Sequence, residues 1–227
     1  MKIYFNSIIV LLFLLLTACG TDSKKSEKKT ENKESPAVVE KESEKKNIIF
    51  FGNSLTAGYG VEAEEAFPGL IQQRLDSLGY DYNVINAGVS GETTASGLSR
   101  VEWVVKRQPV EIFVLELGGN DGLRGIKPEE TNKNLRAIID KVKDIHPEVK
   151  ILLAGMMVPP NMGQAYAEEF QKVFPKIAED KKVNLIPFLL KDVGGEEDLN
   201  QPDGIHPTPE GHKIVAETVW EYLRPLI

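Results

Sequence analysis

One cysteine, three histidines and two tryptophans are all that the 227 residues contain of these types. A single Cys excludes an internal disulfide framework and every multi-Cys zinc or iron–sulfur site. The three His, at positions 146, 206 and 212, do not form a recognisable zinc spacing, so neither a metal nor another cofactor is expected. Positive charge is short too. With 27 Lys+Arg against 34 Asp+Glu the chain stands at −7, which argues against nucleic acid as a partner. Long hydrophobic runs are missing as well. The apolar stretch from Ile8 to Leu16 is nine residues, about 14 Å as a helix, or roughly half a bilayer core.

What is there divides the chain in three. Residues 1–18 carry one Lys2, the apolar run and a small-residue end at Thr17-Ala18, the pattern of an export signal rather than a membrane span. Leu16-Thr17-Ala18-Cys19 resembles the lipobox of bacterial lipoproteins, which implies cleavage before Cys19 and lipidation of its thiol. Acyl chains there would supply about 0.8 kcal/mol per buried CH₂, so the expected location is the bacterial cell envelope, with Cys19 as the membrane attachment. Residues 19–46 follow as a charged tether. From 21 to 46 there are eight Lys, six Glu and one Asp, with only Ala37, Val38 and Val39 apolar, too little apolar surface to offset the entropy of ordering. Such a segment reaches about 90 Å fully extended and on the order of 30 Å as a coil.

Residues 47–227 form the folded part, with 18 basic and 27 acidic residues and a net charge of −9. Short apolar runs at Asn47–Gly52, Tyr82–Asn86, Glu111–Leu117, Lys150–Ala154 and Asn184–Phe188 predict strands covered on both faces. Helical periodicity separates them. Phe67, Leu70, Ile71, Leu75 and Leu78 share one side of a helix over Ala66–Leu78. Pro128-Glu129-Glu130 opens a second helix running through Leu135, Ile138, Ile139, Val142 and Ile145. A last one covers Pro209 to Leu223. Strand–helix alternation of this kind predicts an α/β fold with a doubly wound parallel sheet, whose chemistry sits at the carboxyl ends of the strands.

Polar and Gly-rich residues do follow those strand ends. Gly52-Asn53-Ser54-Leu55 comes after the first. A Ser at a strand-to-helix junction has a backbone N–H that is unpaired and aligned with the helix dipole, which favours a developing anion nearby, while the plainer reading of Ser54 or Asn53 is a helix N-cap. Ser90-Gly91-Glu92 comes after the second strand, where Gly91 either brings a backbone N–H close to a ligand or serves a turn. Gly118-Gly119-Asn120-Asp121 comes after the third. The Asn120 amide can donate to an oxyanion, or both polar side chains can stabilise the turn. Asp203-Gly204-Ile205-His206-Pro207 places a carboxylate three residues before an imidazole, close enough to orient a general base. His146, before Pro147, reads as structural; His212 falls within the last helix, on a packed or solvated face.

Taken together, these four blocks resemble the GDSL or SGNH hydrolases, and the likeness covers essentially all of 47–227. Asn86-Ala87…Ser90-Gly91-Glu92-Thr93 and the run Glu116 to Gly125 are similar to the bacterial subgroup of acyl-thioesterase I, lysophospholipase L1 and arylesterase. The resemblance implies a three-layer α/β/α fold with a five-stranded flavodoxin-like sheet. It further implies Ser54 as nucleophile, His206 as general base and then acid, and Asp203 to orient His206. Ser54 N–H, Gly91 N–H and the Asn120 side chain would form the oxyanion hole. The implied activity is a serine esterase on acyl esters, lysophospholipids among them. A carbohydrate O-acetyl esterase acting on cell-surface glycans and a non-catalytic, surface-tethered binding lipoprotein are the alternatives. One departure stands out: the signature usually has Asp before the Ser, and here it is Asn53. Gln164 to Phe174 falls where the subgroup has its acyl-binding loop. Met156, Met157, Val158 and Met162 nearby would either accept an acyl chain or fill core.

Overall fold

The computed structural model describes residues 45–227. The predicted lipobox, Cys19 and nearly all of the charged tether lie outside the described residues. Five parallel strands form one sheet in the order β2-β1-β3-β4-β5: β1 (Lys46–Gly52), β2 (Tyr82–Gly88), β3 (Ile112–Glu116), β4 (Lys150–Ala154) and β5 (Asn184–Ile186). The helices are α1 (Ser54–Ala57), α2 (Phe67–Ser77), α3 (Thr94–Val105), α4 (Gly119–Leu123), α5 (Pro128–Ile145), α6 (Gln164–Lys181) and α7 (Pro209–Leu223). α2 packs beside α7, whereas α3, α5 and α6 pack in a row, giving the expected three layers.

Burial explains the strands. Ile48, Ile49, Phe50 and Phe51 of β1 are fully buried, as are Ile112, Phe113 and Leu115 of β3. Residues on both faces of these strands are covered, so each large apolar side chain adds on the order of 1.5–3 kcal/mol. Phe51 lies against Phe113 with ring centroids 5.4 Å apart. α5 forms where the spacing predicts. Pro128 occupies its first turn with Glu129 and Glu130, and Leu135, Ile138, Ile139 and Val142 face the core.

Several boundaries differ from the sequence expectation: β2 runs on to Gly88, while β3 and α2 are each one residue shorter at both ends. β1 starts one residue earlier, at Lys46. β5 stops at Ile186 instead of Phe188, because Pro187 has no N–H to continue the ladder; there Gly155 N–H donates to Ile186 O at 2.8 Å. Residues 164–174, read as a binding loop, lie inside α6, where Phe170 and Phe174 are buried at a one-turn spacing.

The strand order reverses direction between β1 and β3, since the chain turns to one side for β2 and to the other for β4 and β5. In a sheet of this order the crevice at that switch point is where ligands bind. Gly52, the last residue of β1, is in register with both Gly88 of β2 and Glu116 of β3. The loops leaving these three strands therefore emerge side by side.

Candidate active site

Immediately after β1 the Asn53 side chain accepts the Leu55 N–H at 2.9 Å, which caps α1 and puts Ser54 at its first residue. Ser54 is nearly covered, with 8% of its surface exposed. As a first-turn residue its N–H has no acceptor within the helix. Gly52 has to be Gly here: a Cβ would overlap Thr56 Oγ1 and stand 2.5 Å from a Glu116 carboxylate oxygen.

His206 arrives from the opposite end of the chain. Its Nε2 lies 2.9 Å from Ser54 Oγ, and its Nδ1 lies 2.7 Å from Asp203 Oδ2. A carboxylate can only accept, so Nδ1 carries the hydrogen and Nε2 is left to accept the Ser54 hydroxyl. The other Asp203 oxygen accepts the backbone N–H groups of Ile205 and His206 at 2.9 and 3.0 Å. Hydrogen bonds from the His206 ring and from these amides lower the Asp203 carboxyl to about 2. It is therefore ionised throughout the range in which an imidazole titrates.

The loop that bears this pair is closed by its own backbone and by β1's loop. Gln201 N–H donates to His206 O at 2.7 Å. The Gln201 amide donates to Tyr59 O at 2.7 Å and to Pro207 O at 3.0 Å. The Tyr59 ring then lies 4.6 Å from the His206 ring, centroid to centroid, forming one wall beside the imidazole. α7 begins right after, capped by Thr208, whose hydroxyl accepts Gly211 N–H at 3.2 Å.

The predicted oxyanion donors approach from the next two strands. Gly91 has φ +79°, a left-handed conformation that favours Gly. Asn120, in α4, donates one amide hydrogen to Glu92 O at 3.0 Å; its NH₂ has a second. Arg124 Nη2 donates to Gly91 O at 3.0 Å, tying the two loops together again. Underneath, Glu92 and Arg100 form a two-pronged ion pair at 2.6 and 2.5 Å. Arg100 also donates to Ala87 O at 2.8 Å and lies 3.9 Å over the Phe51 ring. Asp121, buried, accepts the Thr94 N–H at 2.9 Å and holds α4 to α3.

The residues singled out in the sequence thus fall into two groups. Ser54, His206 and Asp203 form a continuous hydrogen-bonded chain, with Gly91 and Asn120 on the neighbouring loops. The other two His lie elsewhere. His146 Nε2 is 2.8 Å from Val105 O at the end of α5. His212 is buried, its Nδ1 accepts the Phe67 N–H at 3.3 Å, and burial lowers it to about 4. The Met residues divide: Met156 is core and Met157 is 42% exposed.

Four residues of this region are not singled out by the sequence: Tyr59, Arg100, Arg124 and Glu116. Glu116 carries a usable signal, a carboxylate ending an apolar strand where burial of charge is costly. It is fully buried, and burial raises its carboxyl to about 7. Among the described residues, no group of three or more His, Cys, Asp or Glu is arranged to hold a metal ion. No helix among them is long and apolar enough to cross a membrane.

Comparison with known proteins agrees with this geometry. Residues 50–214 match the GDSL-like lipase/acylhydrolase family. Esterase TesA of Pseudomonas aeruginosa is 39% identical over 180 residues, covering 79% of this chain and 89% of that one. Thioesterase 1/protease 1/lysophospholipase L1 of Escherichia coli K12 is 36% identical, covering 79% and 84%. The crystal structure of the psychrotrophic esterase EstA from Pseudoalteromonas sp., inhibited by monoethylphosphonate, superimposes with a TM-score of 0.75 at 31% identity, covering 79% of this chain and 97% of that one. A parallel sheet with a hydroxyl, an imidazole and a carboxylate in hydrogen-bonded sequence at its switch point, matched over most of its length by such relatives, belongs to the GDSL-like lipase/acylhydrolase family and is a serine esterase.

Proposed function

We propose that the esterase hydrolyses acyl esters through an acyl-Ser54 intermediate, and the hydrogen-bonded chain Ser54–His206–Asp203 is the observation that carries this reading. His206 Nε2 takes the hydroxyl proton as Ser54 Oγ attacks the acyl carbonyl. The negative charge that forms on the carbonyl oxygen is received by Ser54 N–H, Gly91 N–H and the free hydrogen of the Asn120 amide. His206 then returns its proton to the departing alcohol, and water repeats the sequence to release the acid. Asp203 stays ionised and stabilises the imidazolium.

The substrate class is an ester with an apolar acyl portion. The segment that follows each of the five strands carries one exposed large apolar side chain: Tyr59, Val89, Leu123 at the end of α4, Met157 and Ile205. That rim favours aliphatic or aryl esters and lysophospholipids over acetylated sugars. The lipobox-like Leu16-Thr17-Ala18-Cys19 supports a protein exported and held at the envelope by lipid on Cys19.

A fluorophosphonate probe should label the full chain at Ser54, and Ser54→Ala should lose both labelling and ester hydrolysis. Near-full hydrolysis by that variant would end the proposal. In a panel of aryl esters, lysophospholipids and acetylated sugars, the first two should be the better substrates. Mass spectrometry of the membrane fraction should find acyl chains on Cys19, and Cys19→Ser should move the protein to the soluble fraction.

A further inference from the structure

Asn53 stands where the signature of the family usually has Asp, and its surroundings show what that exchange requires. Glu116, at the end of β3, spreads its two carboxylate oxygens around the residue before Ser54. Oε1 accepts the Asn53 side-chain Nδ2–H at 2.7 Å. Oε2 accepts the Asn53 backbone N–H at 3.0 Å and the Thr56 hydroxyl at 2.8 Å. One buried carboxylate thus grips the chain on both sides of Ser54.

The grip also decides which way the Asn53 amide faces. With Nδ2 held on Glu116, Oδ1 is turned to Leu55 N–H at 2.9 Å and to Ser54 Oγ at 3.4 Å. A flipped amide would aim two hydrogens at the Leu55 N–H and remove the cap of α1. The charged groups beside this end of β1 are Arg100, whose Nη2 reaches Gly52 O at 3.4 Å, and its ion-pair partner Glu92. His206 and Asp203 lie across Ser54.

We propose that Glu116 is a positioning residue for Ser54 and forms with Asn53 a matched carboxylate–amide pair, so that a carboxylate at position 53 is compatible with an amide at position 116. The inference rests on the reading of Ser54 as nucleophile. Its logic is a count of donors and acceptors. In the native pair each hydrogen aimed at Glu116 meets a carboxylate oxygen: one from the Asn53 amide, the Asn53 N–H and the Thr56 hydroxyl. Glu116→Gln alone sets two amides against each other, and one NH₂ must face either the Asn53 N–H and Thr56 hydroxyl or the Asn53 amide hydrogens. Asn53→Asp alone sets two buried carboxylates at hydrogen-bond distance, and these can coexist only by holding a proton between them. With both changes, the carboxylate now at position 53 accepts from the amide now at position 116 and still caps Leu55. The carbonyl of that same amide accepts the residue-53 N–H and the Thr56 hydroxyl. Hydrogen bonds and net charge return to the native count.

The test compares the native full chain with Glu116→Gln, Asn53→Asp and the double variant, reading kcat and KM on a p-nitrophenyl ester and melting temperature at pH 6 and 9. Glu116→Gln should lose about 10- to 100-fold in kcat, with KM within about threefold, a coupling size expected of residues in one buried network. Adding Asn53→Asp to it should restore kcat to within about fivefold of native. Asn53→Asp alone should melt lower at pH 9 than at pH 6 by more than the double variant does, because its fold must keep a proton that the unfolded chain releases. Native kcat in Glu116→Gln, or losses that simply multiply in the double variant, would overturn the pairing. The same melting comparison in a Ser54→Ala background reads the pair without reference to the nucleophile. Retained hydrolysis by Ser54→Ala would therefore remove the nucleophile assignment and leave the pairing to stand or fall by its own measurement.

Discussion

The two halves of the hydrogen-bonded chain are built in different ways. Ser54 is held from below by groups remote in sequence, with Glu116 more than sixty residues away and fully buried. His206 is oriented by Asp203 three positions earlier, on a loop where that carboxylate side chain is 38% exposed. One half is embedded in the sheet and satisfied by long-range contacts; the other is a compact local turn reaching over it. In the proposed mechanism, a nucleophile set in the sheet and a base oriented on its own loop divide the work. The sheet fixes where the ester carbonyl must arrive, and the loop supplies the proton acceptor.

Removing the imidazole tests the shared part of the comparison and should have the largest effect. His206→Ala is expected to lower kcat by roughly 10⁴-fold or more, with an unchanged circular dichroism spectrum and melting temperature because the ring contributes little to the core. Next comes the local half alone. Asp203→Asn leaves the turn able to form but releases the preferred tautomer of His206, so kcat should fall by about 10²- to 10⁴-fold. A loss under about threefold would mean that the loop backbone holds the ring without the carboxylate.

Smaller effects separate the halves by stability. Thr56→Val takes one donor from the buried Glu116 and should cost about 1–3 kcal/mol in urea unfolding. Ile205→Ala, on the exposed loop between Asp203 and His206, should stay within about 0.5 kcal/mol. Equal costs would break the contrast between embedded and local halves.

Protonation gives a further distinction. Glu116 is raised from 4.5 to about 7, so the folded state binds its proton more tightly, and the associated stability is present below 4.5 and lost as pH rises to about 7. His212 moves the other way, from 6.5 to about 4. The unfolded state takes up that proton first, and stability from His212 is present above 6.5 and lost as pH falls to about 4. The two trends oppose each other between 4.5 and 6.5, so native stability should change less there than in variants lacking one group. His212→Gln should gain on the native protein steadily as pH falls through this window, while Glu116→Gln should gain on it as pH rises. Parallel curves for native and variant would deny the buried state of either group.

This difference in construction also governs what can be read from the amino-acid string. The Asp203–His206 pair is legible because its geometry is local: three residues on one turn suffice. The strands of 47–227 are legible because covering both faces leaves near-continuous apolar runs. Glu116 is hidden within such a run, since its partners at 53 and 56 are adjacent only through the register that sets Gly52 beside it. The helix at 164–181 reads in its first part as a binding loop because it falls where the subgroup has one, and not from its own apolar pattern, which is helical. Phe170 and Phe174, one turn apart and in contact at 5.7 Å, are the cue to a helix. Met156 and Met157, adjacent in sequence just past the end of β4, face core and solvent respectively, a distinction that composition cannot express.

For protein engineering, the rim of the site has a useful independence. Tyr59, Val89, Met157 and Ile205 on strand-end loops, and Leu123 at the end of α4, each follow a different strand and are each substantially exposed. The bonds that tie these loops together, Arg124 to Gly91 O and Gln201 to Tyr59 O, use none of these side chains, so a library could vary one wall of the proposed acyl site and leave those ties in place. Tyr59 is the position to leave for last, since its ring also leans on His206. The other four are separate handles on chain length, leaving-group shape and solvent access, mounted on a frame that none of them holds together.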